Sequence, residues 1–175
     1  MKKINDKQKD LFNLEDYLST APCVPQIRKE VREWKNNKYK GATKTTKELL
    51  KYWFYSVHIL SNGKKFKYYY SQQEAMETII YINEICKIKS RKGLLQRFIK
   101  SNQDVVLPIH DNFGKSGIKM ATGSGKTKVM ALVIAWHYLN AVKENDKEYA
   151  KDFLIVAPNV IVYDRLCTDF RNGII

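Results

Sequence analysis

The sequence predicts an α/β fold: the start of a parallel sheet, incomplete within these 175 residues, preceded by a mainly helical N-terminal region. Three observations carry that expectation. A glycine-rich loop, Thr122 to Gly125, stands between a short apolar stretch, Ile118 to Ala121, and a long helical pattern from Lys126 to about Val142. A second run, Phe153-Leu-Ile-Val-Ala, is continuously apolar over strand length, as a parallel strand covered on both faces should be. Strand, loop, helix and strand in that order make a βαβ unit, whose crossover is right-handed.

The elements follow in chain order. Residues 1–25 read as a flexible arm, and Pro22 and Pro25 punctuate its end. A helix is expected from Gln26 to about Asn36, where Ile27, Val31 and Trp34 recur at helical spacing. A turn at Lys38 to Thr43 leads to a second helix, starting near Thr45 or Thr46, whose hydroxyl can cap the first turn, and running through Leu49, Leu50, Trp53 and Phe54. Ser61-Asn62-Gly63 is a break, and Phe66 to Tyr70 is extended and aromatic. The mainly helical N-terminal region thus covers 26–70.

A third helix is expected from Gln72 to about Lys89, with Ser71 and Glu74 forming a capping box. Ala75, Ile79, Ile82 and Cys86 would line one face, broadened by Met76 and Ile80. Lys89 to Gly93 reads as an exposed run, and residues 94–117 hold only a short apolar stretch, Val105 to Ile109, and a glycine-punctuated loop. The helix from Lys126 would bury Val129, Leu132, Val133, Trp136 and Leu139. A charged surface connection, Lys143 to Glu148, leads to the second strand, and Pro158-Asn159 turns the chain toward a last helix from about Ile161.

Bulk properties narrow the function classes. No stretch approaches the length of a membrane span, and the N-terminal lysines have no apolar run behind them, so the cytoplasm is the expected compartment. Cys23, Cys86 and Cys167 lie far apart, match no zinc spacing, and are expected to be reduced thiols. The net charge is +13, divided as +12 over residues 1–100 and +1 over residues 101–175. A basic N-terminal portion suits a polyanionic partner such as DNA. Only 6 of the 31 basic residues are Arg, however, which equally fits a proteome rich in lysine, since phosphate-binding surfaces favour the arginine fork.

The chemistry concentrates in Met120-Ala-Thr-Gly-Ser-Gly-Lys-Thr. Glycines at 123 and 125 allow backbone conformations closed to other residues and let amides approach a ligand. Those amides and the start of the helix behind them make a concave anion site. Lys126 would reach the β/γ-phosphates of ATP, and the Thr127 hydroxyl would ligate Mg²⁺. The usual G-x-x-x-x-G-K-[ST] pattern expects Gly at position 120, where this chain has Met120.

That departure separates classes. M-A-T-G-S-G-K-T resembles motif I of superfamily-two helicases and translocases, and Phe153-Leu-Ile-Val-Ala-Pro-Asn resembles their motif Ia. Upstream, Tyr69-Tyr-Ser-Gln-Gln-Glu-Ala resembles the segment that carries their adenine-reading glutamine. Together with the tryptophan- and lysine-rich stretch Trp34 to Phe54 and with Lys119 to Asn140, these motifs resemble the DEAD/DEAH-type, restriction-type helicases, the Res subunits of type III restriction enzymes, over most of residues 26–170.

The resemblance implies a P-loop NTPase (RecA-like) domain beginning at residue 71 and continuing to 175. It also implies an ATP- and Mg²⁺-dependent translocase on double-stranded DNA, a methyltransferase or specificity subunit as a possible partner, and in many relatives an endonuclease domain. Met120, Ala121, Thr122, Gly123, Ser124, Gly125, Lys126 and Thr127 would hold the nucleotide. Gln72 would read the adenine, with Gln73 as the alternative reader. A tyrosine among 68–70 could stack on the base or pack against the core. Pro158, Asn159 and Arg165 would meet the DNA backbone, though relatives often have Gly where this chain has Asn159.

No D-E-x-[HD] box occurs in these residues. The chain is therefore expected to be the N-terminal portion of a longer motor, binding ATP without turning it over at a useful rate. The runner-up reading is a degenerate module that binds DNA or a partner. A small nucleotide kinase lacks the lid it would need.

Overall fold

The computed structural model describes residues 22–60, 62–99 and 116–171. The expected arm to residue 21 and the stretch Val105 to Ile109 lie outside the described residues. The chain forms two compact units, Met1–Lys40 with Glu77–Gly117, and Gly41–Met76 with Ile118–Ile175.

In the first unit, helix α1 spans Val24–Asn36 and buries Ile27, Val31 and Trp34 as their spacing predicts. It begins two residues before Gln26 because Pro25 occupies the first turn, where its missing N–H has no partner to lose. The Trp34 indole donates to the Lys40 carbonyl at 3.0 Å, and its ring meets Tyr39 at 4.9 Å and Tyr81 at 5.4 Å. Glu77 is buried and accepts from Tyr39 Oη at 2.7 Å and from Lys35 Nζ at 3.0 Å. Glu30 is gripped on both oxygens by Arg97, at 3.1 and 2.7 Å, and accepts from Tyr81 Oη at 2.9 Å. Burial alone would raise the Glu30 carboxyl. The hydrogen bonds from Gln26 and Tyr81, with Arg97 beside it, hold it below the ordinary value instead.

In the second unit, helix α2, Lys44–Tyr55, starts at Thr43, whose hydroxyl accepts the Thr46 amide at 3.0 Å. Thr43 takes the cap expected of Thr45 or Thr46, and those two threonines are buried instead. Strands β1, His58–Ile59, and β2, Lys65–Phe66, pair antiparallel. Gly63 turns the hairpin at φ +76 and donates to Leu60 O at 2.8 Å. Extended structure thus ends earlier than the expected Tyr70.

Helix α3 spans Tyr70–Ile80, continues as a wider turn over Tyr81–Ile85, and stops short of Lys89. The boundary between the two units falls within it, after Met76. Its buried positions are Gln72, Met76, Glu77, Ile80 and Tyr81, whereas Ala75, Ile79, Ile82 and Cys86 are only half-buried. The expected face is therefore rotated, because Gln72 and Glu77, polar by type, are taken inside by specific partners. Ser71 does not cap the helix: it is exposed, and Gln72 Oε1 accepts the Tyr69 amide at 2.8 Å. Helix α4, Arg91–Phe98, capped by Ser90, occupies part of the stretch read as an exposed run.

Helix α5 spans Lys126–Lys143 and packs on α2. Val129, Leu132 and Trp136 are buried as expected, while Val133 and Leu139 are half-buried and Asn140 and Ala141 take their place. Asn140 is the polar centre of the contact. Its Oδ1 accepts from Thr43 Oγ1 at 2.6 Å and its Nδ2 donates to Thr46 Oγ1 at 3.0 Å, where the Trp136 indole also donates at 3.0 Å. Every buried side-chain polar atom among the described residues has a partner, so this network is closed.

The sheet is where expectation and structure differ most. Ile118–Ala121 and Phe153–Ala157 form no ladder among the described residues, whose single sheet is the β1–β2 hairpin. Along the second run Leu154 is 90% and Val156 81% exposed, against 38% for Phe153 and 40% for Ile155. The exposure alternates with the period of a strand, but all four residues are exposed, without the two-sided burial that the composition predicts. A strand is defined by a paired neighbour, and neither stretch has one here. Helix α6, Val160–Arg171, follows.

Candidate functional site

The candidate site lies wholly in the second unit and is built on the N-terminus of α5. Gly125 occupies the position before the helix at φ 79 and ψ 42, and no side chain caps the helix there. The first amides of any α-helix lack intrahelical acceptors, so an uncapped start presents donors and the positive end of the dipole outward. Gly123 also has positive φ, at +78, and space around it is open enough that an added Cβ would meet nothing within 4 Å. Both glycines therefore take the backbone conformation the motif requires of them.

Lys126 is exposed and its ammonium curls back onto the loop, donating to Met120 O at 3.1 Å and Ala121 O at 3.0 Å. Ser124 Oγ donates to Ala121 O at 2.6 Å, closing the turn. Thr127, on the first turn of α5, is half-buried. The donor set suits a polyphosphate: amides at a helix start, one exposed cation and one hydroxyl. No cluster of three or more His, Cys, Asp or Glu among the described residues could hold a metal on its own. Mg²⁺ beside nucleotides takes much of its coordination from phosphate oxygens and water, and of the loop residues Thr127 carries a hydroxyl that could join them.

Gln72 is brought directly to the loop. Its Nε2 donates to Ser124 O at 3.2 Å and Gly125 O at 3.4 Å, and the residue is only 2% exposed. Its amide lies so close to Gly125 that a Cβ there would collide with it. Gln73 instead donates to Tyr55 Oη at 3.3 Å. Of the tyrosines upstream, Tyr69 and Tyr70 are exposed, and Tyr68 packs into an aromatic cluster with Phe54, His58 and Phe66.

The expected DNA-facing residues sit around the start of α6. Asn159 Oδ1 accepts the Val162 amide at 2.9 Å, so Asn159 is the cap of that helix, and this sets its start at Val160 rather than Ile161. Pro158 is exposed beside it. Arg165 is 82% exposed, with Asp169 at 4.0 Å one turn on. Sequence reasoning overlooked three polar residues that shape the unit: Thr43, Asn140 and the capping role of Asn159. The last was legible, since an Asn before an apolar helical stretch is a standard cap. Asn140 was not, because its buried position depends on Thr43 and Thr46 at the start of α2, 97 and 94 residues away in sequence.

A glycine loop leading into an uncapped helix, with a lysine and a threonine as its first residues, defines the phosphate-loop class of domains. Residues 65–174 match the family described as type III restriction enzyme, res subunit, a family of P-loop, helicase-type domains. The chain belongs to that family, with the helicase/ATPase-type character this implies. No curated protein and no solved structure matches it.

Proposed function

We propose that this chain is the ATP-binding portion of an ATP-dependent DNA translocase of a restriction system, working in the cytoplasm. The observation that carries the reading is the pair of left-handed glycines at 123 and 125 before the uncapped α5, with Lys126 exposed on its first turn. The amides of the loop and of Lys126 and Thr127 would hold the β-phosphate region. Lys126 would exchange its carbonyl partners at Met120 and Ala121 for phosphate oxygens. Thr127 would offer its hydroxyl to Mg²⁺, an ion whose charge offsets that of the triphosphate. Ala121 and Thr122 form the approach to the loop, and Ser124 holds its turn.

For DNA, the exposed Val160 and Ile161 at the start of α6 would offer their amides beside Pro158 and Asn159, and Arg165 is exposed on the same helix. These groups suit contact with phosphate rather than with base edges. The excess of +12 over residues 1–100 would add a sequence-independent attraction. A methyltransferase partner and a nuclease domain are part of the same reading, by kinship with the family. No helix among the described residues is long and apolar enough to cross a membrane.

The test is a titration of the purified chain with a fluorescent ATP analogue, with Mg²⁺ and then with excess chelator. Saturable binding that weakens on chelation supports the reading, and a flat titration in both conditions refutes it. Because the 175 residues hold no D-E-x-[HD] box, phosphate release by this chain should stay at background.

A further inference from the structure

Gln72 is the one described residue that ties a distant part of the chain to the backbone of the phosphate loop by side-chain hydrogen bonds. An amide that read a nucleobase would have to present its oxygen and its NH₂ group to the base edge together. Here Oε1 is engaged by the Tyr69 amide at 2.8 Å, and Nε2 faces the carbonyls of Ser124 and Gly125 at 3.2 and 3.4 Å. At 2% exposure the residue offers no face to a ligand.

The geometry points to Gln72 as a positioning residue for the phosphate loop that takes no part in choosing the base. This rests on the loop being the nucleotide site. Gly125 carries the left-handed turn that starts α5, at φ +79. By holding the carbonyls of Ser124 and Gly125 on one side of the peptide planes, Gln72 turns the following amides to the other side, toward the anion. The same amide secures the Tyr69 N–H ahead of α3, so the loop and the start of α3 are fixed as one piece. Gly125 answers to this contact twice: it needs positive φ, and it leaves room that a side chain would take from the Gln72 amide. The ligand class follows. A site organised on backbone amides and Lys126, with its upstream glutamine spent on the loop, recognises the triphosphate and is indifferent to adenine or guanine.

The experiment measures binding of Mg²⁺ complexes of ATP, GTP and inorganic tripolyphosphate to the 175-residue chain, its Gln72→Met and Gln72→Glu variants, Gly125→Ala and the double variant Gln72→Met/Gly125→Ala. Thermal melting reports folding alongside. Gln72→Met keeps the volume and removes both hydrogen bonds, whereas Gln72→Glu keeps an acceptor for Tyr69 and removes the donor to the loop. The expected result is near-equal ATP and GTP affinity in the unaltered chain. Both Gln72 variants should then lose about tenfold for all three ligands alike, which is what one lost loop contact of ordinary strength is worth. Gly125→Ala should cost less in the Gln72→Met background than alone, because a flexible thioether, held by no hydrogen bonds, can turn aside from the added methyl where the anchored amide cannot.

An ATP-selective loss, with GTP and tripolyphosphate unchanged, would overturn the proposal and make Gln72 a base reader. Additive losses for Gly125 and Gln72 would also overturn it. If Gln72→Met does not fold, Gln72→Glu decides by the same comparison. Absence of binding of any of the three ligands to the unaltered chain would instead remove the phosphate site itself.

Discussion

The two ends of α5 are built in opposite ways. Its C-terminal half is locked: Trp136 and Asn140 are buried and share hydrogen bonds with Thr43 and Thr46 at the start of α2. Glu144, just past the helix, accepts the Thr45 amide at 2.8 Å, and the Thr45 hydroxyl, this amide and the neighbouring Lys44 and Lys143 hold its carboxyl below the ordinary value. Its N-terminal end has no side-chain cap, two left-handed glycines before it and an exposed lysine on its first turn. The difference shows how a unit can hold an adaptable anion site without losing its shape. Rigidity is supplied at one end of a helix so that the donors at the other can be left without protein partners.

The largest expected effect breaks the locked end. Trp136→Ala removes a buried ring and the indole donor to Thr46, and should destabilise the chain by about 3–5 kcal/mol, read by chemical denaturation. A loss below about 1 kcal/mol would mean that α5 is not anchored there. Asn159→Ala should have a smaller and local effect. Losing a cap costs about 1 kcal/mol, and hydrogen exchange should show faster opening of the first turn of α6 while α5 is unchanged.

The smallest effect concerns His137, which lies in the locked C-terminal half of α5 beside Trp136. Burial disfavours its protonated form and lowers its pKa below the ordinary 6.5, and its neutral Nδ1 accepts the Ala150 amide at 3.3 Å. On acidification the unfolded chain takes up this proton first. The contribution to stability is therefore complete above pH 6.5 and is lost as pH falls through the lowered folded value. Melting temperatures of the chain and of His137→Gln should converge from neutral pH toward acid; parallel curves would contradict the assignment.

How much of this was legible in the residues differs between the same two ends. The loop was readable because its chemistry is local: glycine spacing, a lysine and a threonine at a helix start need no tertiary partner to be recognised. Val129, Leu132 and Trp136 were readable from helical periodicity. Gln72 was singled out by its motif, but its burial and that of Asn140 were not readable, since a polar residue goes inside only where distant partners receive it, Thr43 and Thr46 for Asn140 and the Ser124 and Gly125 carbonyls for Gln72. The two apolar runs taken as parallel strands mark another limit. Composition favours extended structure over Phe153–Ala157, but it cannot provide the neighbour that makes a strand.

The central claim is that the open end of α5 is a nucleotide phosphate site, and Lys126→Ala tests it most directly. Calorimetric titration of Mg·ATP should show saturable binding to the unaltered chain and a loss of about tenfold or more in the variant, the worth of one charge-assisted contact. The melting temperature should not change, because Lys126 is exposed and bonds only to loop carbonyls among its described hydrogen bonds. Equal affinity in the two proteins, with both fully folded, would contradict the account.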